Sequence, residues 1–161
     1  RHQQLPVKGV ETAVRLSPNA AHSGSYCLEL RASPTDVATP APVVPSSPVW
    51  ITSPPIQVKA GDIVEITGVA RVPQPLIGSV DGLQIIDSLG GVDMSVRIPK
   101  SPSWKPFRLV RAVPTGTEVT VSIALTGLGA AQVDDLAIRT IPKPIVAQPT
   151  QVAQPRVGIP R

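Results

Sequence analysis

TEVTVSIALTGLGAAQVDDLAIRT, residues 117–140, decides the fold. Its first half alternates without a break. Val119, Val121, Ile123 and Leu125 fall on one side, and Thr120, Ser122 and Ala124 on the other. Successive side chains of a strand point to opposite faces, so this period of two reads as a strand with one covered face. Gly127 and Gly129 then make a turn, and residues 130–138 form a second strand. That second strand holds a puzzle. Leu136 and Ile138 read as its buried pair, and strict alternation puts Asp134 on their face. A carboxylate in such a place needs hydrogen-bond donors or an ion, because an uncompensated buried charge is very costly.

The same period recurs upstream. Strands are expected at GVETAVRL (9–16) and at SYCLELRA (25–32), where Tyr26, Leu28 and Leu30 share a face. DIVEITGVARV (62–72) sets Val64 and Ile66 against Glu65 and Thr67. VDGLQIIDSL (80–89) and PFRLVRAV (106–113) follow the pattern, and VWIT, PIQV and MSVRI are shorter strands. Residues 17–24, 60–62, 90–91 and 101–103 read as turns or loops. Residues 33–48, with five prolines, read as a long irregular loop. About eight to ten strands at this spacing, with no helical period, predict an all-β antiparallel sandwich or barrel.

Composition agrees. The chain has 161 residues, enough for one domain and a tail, and its 20 prolines far exceed the usual ~5%. Prolines and β-branched residues favour strands and turns over helices. The net charge of +4 does not mark a nucleic-acid binder. All 11 acidic residues and all but four basic ones lie before residue 136, so the excess comes from Arg139, Lys143, Arg156 and Arg161. No run approaches the ~20 apolar residues of a membrane-spanning helix. The chain begins at Arg1, as a fragment or a processed product would. Cys27, the single cysteine, cannot form an internal disulfide and reads as a small half-buried strand residue. Residues 1–140 are expected to form the sandwich. Residues 141–161, with five prolines and VAQP twice, are expected to be a disordered tail or linker.

Three segments together resemble the galactose-binding-like jelly rolls, β-sandwiches related to several carbohydrate-binding modules. AAHSGSYCLELRA resembles their early strand, and ITSPPIQVKAGDIVEITGVARV their strand, "aGd" turn and long strand. WKPFRLVRAVPTGTEVTVSIALTGLGAAQVDDLAI resembles their closing pattern. The resemblance covers residues 9–140. The family's opening "G-x-F-E" strand is absent, and residues 1–8 are not expected to supply it. The resemblance implies an accessory module of a larger extracytoplasmic protein, and a structural calcium as the only cofactor to consider. Asp134 would be a ligand, with Ser23 and Ser25 in the HSG turn, although the family's upstream Glu is missing. Without calcium, Asp134 would accept backbone N–H bonds from that turn.

The remaining candidates come from facing. Phe107, Leu109, Arg111 and Val113 share one face, and Leu83, Ile85 and Asp87 another, so Arg111 and Asp87 can pair across the sheet. They would form either a structural ion pair or the polar floor of a ligand groove. Sugars stack on exposed aromatic rings. Tyr26 and Phe107 fall on core faces, Trp104 can cap the core, and Trp50 is left as the platform. No enzyme is expected. Adjacent Asp134 and Asp135 diverge, the two histidines build no triad, no P-loop lysine follows the glycines, and there is no Cys/His cluster. The expected function is a non-catalytic accessory module for spacing, docking or adhesion. The alternative is a module that binds a glycan or cell-envelope polymer. Other domains of the same polypeptide are expected partners, and nucleic acid is not.

Overall fold

The structure, a computed structural model, describes residues 2–4, 7–19, 21–36, 44 and 46–141. The expected tail lies outside the described residues except for Ile141, which belongs to a strand. Twelve strands are present among the described residues. They are β1 (His2–Gln4), β2 (Val10–Ser17), β3 (Cys27–Pro34), β4 (Val49–Thr52), β5 (Ile56–Val58) and β6 (Ile63–Val72). The second half holds β7 (Leu83–Asp87), β8 (Val96–Ile98), β9 (Ser101–Ala112), β10 (Thr117–Val119), β11 (Val121–Leu125) and β12 (Gly129–Ile141). Two five-stranded antiparallel sheets, β1-β4-β11-β7-β8 and β2-β3-β12-β6-β9, face each other, and β10-β5 forms a small ribbon. Among the described residues no helix is long and apolar enough to cross a membrane.

Alternation builds the core. Leu30, Val64, Ile66, Leu83, Ile85 and Leu125 are 0% exposed. Burying each such side chain contributes about 1.5–3 kcal/mol. Val119, Val121 and Ile123 join them as expected, although Thr120 interrupts the run and divides it into β10 and β11. Other boundaries differ too: β7 covers only Leu83–Asp87 of the strand expected over 80–89, and β8 only Val96–Ile98 of MSVRI. Residues 101–103, expected as a loop, begin β9, where Ser101 pairs with Val72 beyond a register shift. Residues 2–4 supply a short strand that pairs with β4. Strand β3 runs on to Pro34.

The closing strand resolves the puzzle of Asp134. In β12, Val133 pairs with Ala70 of β6, and Asp134 with Val69. The next pair is Ala137 with Thr67, so Asp135 and Leu136 together oppose Gly68. This is a β-bulge, and one extra residue inverts the alternation beyond it. Ala131 and Val133 face the core before the bulge, whereas Ile138 packs on it afterwards, opposite Ile66. Asp134 therefore does not share a face with Ile138, and Leu136 is 40% exposed instead of buried. Asp135 takes the turn, with φ at 52°, a left-handed conformation that Asp tolerates better than bulky residues. Gly68 admits the bulge. A Cβ there would meet the Phe107 ring at 2.6 Å and the Asp134 carbonyl at 3.2 Å.

Candidate functional site

Arg111 and Asp87 do meet. Arg111 Nε donates to Asp87 Oδ2 at 2.9 Å, joining β9 of one sheet to β7 of the other. Asp87 is fully buried, and its Oδ1 accepts the amides of Leu89 at 3.1 Å and Gly90 at 2.7 Å. Arg111 Nη2 donates to the Met94 carbonyl at 2.7 Å. The pair is a clasp between sheets that also ties down the turn after β7. Both side chains point inward, so they share no surface with Trp50.

Trp50 faces outward, because its neighbours Val49 and Ile51 pack on the core. The register sets Trp50 beside Ala124, Ala124 beside Gln84, and Gln84 beside Arg97. One row away, Thr52 and Ser122 hydroxyls meet at 2.8 Å. Past Gln84 the face opens into a cavity of about 680 Å³ lined by Ser46, Ser47, Ser79, Asp81, Gln84 and Thr126 among others. Its polar groups are oriented by one another. Ser79 and Thr126 hydroxyls are 2.6 Å apart, Gln84 Nε2 donates to Asp81 Oδ2 at 3.5 Å, and Arg97 pairs with Asp81 at 3.4 Å. The cavity thus gathers a carboxylate, several hydroxyls and the edge of the buried Gln84 amide, with Trp50 two strands away across the buried Ala124. Of these residues, alternation within single strands points only to Trp50. Ser79 and Asp81 lie in a loop, and their approach to Thr126 and Gln84 depends on how β7 and β11 pair.

The outer face of the other sheet carries the candidate metal residues. Asp134 Oδ2 accepts the amides of His22 at 2.8 Å and Ser23 at 3.2 Å, and its Oδ1 accepts that of Asp135 at 2.8 Å. Ser25 lies exposed in the same turn. N–H groups aimed at both carboxylate oxygens do not suit a cation, and calcium takes six to eight oxygens. No group of three or more His, Cys, Asp or Glu residues able to hold a metal occurs among the described residues. The donor set does not fit calcium, and Asp134 instead anchors the 22–25 turn to β12.

Asp135 completes the anchor. Ser23 Oγ donates to its Oδ1, and His22 Nδ1 lies 2.6 Å from its Oδ2. These bonds, Ser23's first, hold the Asp135 carboxyl below the ordinary value of 3.8. A lowered folded-state value means stabilisation that is fully present above pH ~4 and lost as the pH falls through that value. The unfolding midpoint of Asp135→Asn should therefore lie below wild type at about pH 5 and converge on it at about pH 2. A gap that persists in acid would refute this. Asparagine tolerates the left-handed backbone, so the change isolates the charge.

Cys27, which opens β3, is 1% exposed, with Sγ 3.8 Å from the Asn19 carbonyl. Burial pushes its thiol up, and the Asp134 and Glu29 carboxylates add to this. Tyr26, expected in the core, is 57% exposed, because it precedes the strand. Trp104 does not cap the core. It packs against the Arg71 guanidinium, 5.3 Å from the ring centroid, and edge-on to His22.

No protein-family model and no curated protein sequence matches the chain. Solved structures do. A family 16 carbohydrate-binding module superposes with a TM-score of 0.56 at 11% identity, over 78% of this chain and 84% of that one. A CBM4 structure gives 0.53 at 11% identity, over 79% and 77%. The CBM22-1–GH10 modules of Clostridium thermocellum xylanase 10B, complexed with xylohexaose, give 0.52 at 11% identity, over 85% of this chain and 25% of that one. At such identities the likeness concerns architecture alone: the chain has a β-jelly-roll fold like that of these carbohydrate-binding modules.

Proposed function

We propose that the protein is a carbohydrate-binding module whose glycan lies along the outer face of the β1-β4-β11-β7-β8 sheet. One observation carries this: Trp50, Ala124 and Gln84 lie in one cross-strand row on the outer face, and Gln84 also lines a cavity ringed by hydroxyls and the Asp81 carboxylate. Trp50 supplies a flat apolar surface for the C–H face of a sugar. Ala124 keeps the floor between Trp50 and Gln84 low. Gln84, Asp81, Ser79 and Thr126 offer donors and acceptors to sugar hydroxyls, already oriented by their mutual bonds. The fold shared with a family 16 carbohydrate-binding module and a CBM4 structure supports this reading over a purely spacing or docking role. In this proposal the module is non-catalytic, works outside the cytoplasm, and lends glycan affinity to other domains of its polypeptide.

A glycan array followed by calorimetric titration of the best-bound oligosaccharide tests it. Trp50→Ala and Asp81→Ala should each weaken binding at least about tenfold, the loss of one charge-assisted hydrogen bond or one stacked ring. Melting temperatures confirm that both variants fold. Full affinity in both folded variants, or no glycan bound by wild type, would refute the assignment.

A further inference from the structure

Arg31 stands on the outer face of the β2-β3-β12-β6-β9 sheet, between Ala13 of β2 and Ala130 of β12. The adjoining row is fully engaged. Arg15 pairs with Glu29 at 2.6 Å, Gln132 Nε2 donates to Glu29 at 3.3 Å, and Arg71 Nε donates to Gln132 at 2.8 Å. The direct cross-strand neighbours of Arg31 are the two alanines, and Glu11 and Arg15 line a smaller hollow with it on the β2 side. Arg31 is exposed, and among the described residues none of the ion pairs includes it. Beside it opens a cavity of about 360 Å³ walled by Pro34, Pro73, Pro75, Ile77 and Leu128. Arg31 is the one charged residue among the described lining. That volume falls within the roughly 300–1,000 Å³ of small-molecule sites.

We propose that this cavity binds a carboxylate-bearing sugar ring, a uronic acid residue of an acidic glycan, with Arg31 taking the carboxylate. Three features match this chemistry. A guanidinium without an internal partner presents a planar fork of donors to a planar carboxylate at the mouth of the cavity. Proline walls form a rigid apolar surface that pays little conformational entropy on binding and suits the C–H face of a pyranose. At the rim, the Ser33 hydroxyl and Gln74 amide are available to ring hydroxyls. The site lies on the opposite sheet from Trp50 and does not rest on the reading of that face.

Trigalacturonate, its methyl ester and neutral galactotriose, titrated into wild type, Arg31→Gln and Trp50→Ala, test the proposal. Wild type and Trp50→Ala should bind the free acid alike. Arg31→Gln should lose at least about tenfold in affinity while keeping the wild-type melting temperature, since the side chain is exposed and unpaired. The methyl ester and the neutral sugar should bind wild type no better than Arg31→Gln binds the acid. Equal binding of acid and ester, undiminished binding by Arg31→Gln, no binding of the acid, or loss in Trp50→Ala would each overturn it. Displacement of trigalacturonate by a short peptide with a free C-terminal carboxylate would assign the cavity to peptides and overturn it equally.

Discussion

Replacing Arg111 with alanine is expected to lower the unfolding free energy by about 3–5 kcal/mol, the usual consequence of stranding a buried charge. Asp87 is fully buried, and its Oδ2 loses its guanidinium partner. The amides of Leu89 and Gly90 remain on Oδ1, but two neutral donors do not offset the missing charge. The Met94 carbonyl loses its donor as well. Urea denaturation at neutral pH measures the effect. Arg111→Lys should recover only part of it, because one ammonium cannot reproduce the guanidinium fork that reaches Asp87 and Met94 together. The double variant Arg111→Met with Asp87→Asn should be more stable than Arg111→Ala. It removes both charges and keeps an oxygen that accepts the turn amides. A cost below about 1 kcal/mol for Arg111→Ala would show that the pair is screened like a surface bridge.

The second large effect concerns Gly82, which precedes β7. Its φ is +74°, and a Cβ there would run into the carbonyl of Ile98 and the backbone of Pro99, on the edge strand and just beyond it. Backbone cannot swing aside as a side chain does. Gly82→Ala should cost about 2–5 kcal/mol, combining ~1–2 for a left-handed alanine with ~1–3 for displaced packing. Gly78→Ala separates the two contributions, because φ there is +80° but nothing lies within 4 Å of the added methyl. That variant should cost only about 1–2 kcal/mol. Equal losses in the two would show that β8 gives way freely. Gly82 also accepts bonds from Thr126 through its carbonyl, so the displacement should reach the hydroxyl-lined cavity and weaken glycan binding too.

How far the sequence carried differs from strand to strand. Val119, Val121, Ile123 and Leu125 repeat every second residue, and burial alone sets that rhythm, so their face was readable directly. So was the meeting of Arg111 and Asp87, because each falls on the covered face of an apolar series. The closing strand was not readable in the same way. Its rhythm changes at Asp135, and the cause lies in β6, where Gly68 leaves room for an extra residue opposite it. Alternation within one strand holds no record of its partner. The same limit hid the Trp50 face, where Gln84 and Arg97 become neighbours only through pairing, and Arg31, whose isolation depends on alanines contributed by two other strands.

The cover over Cys27 gives the molecule a built-in stopwatch. A thiol-specific reagent can modify this chain at one sulfur only, and that sulfur is buried against the turn region between β2 and β3, at the Asn19 carbonyl. Labelling therefore waits for an opening, and its rate counts how often that opening occurs. When only the turn lifts, labelling outruns global unfolding and is insensitive to denaturant. When the sheets must part, the two rates coincide. The lone cysteine also leaves native molecules with no accessible sulfur for cross-linking, so they can be crowded together in oxidising surroundings without joining covalently.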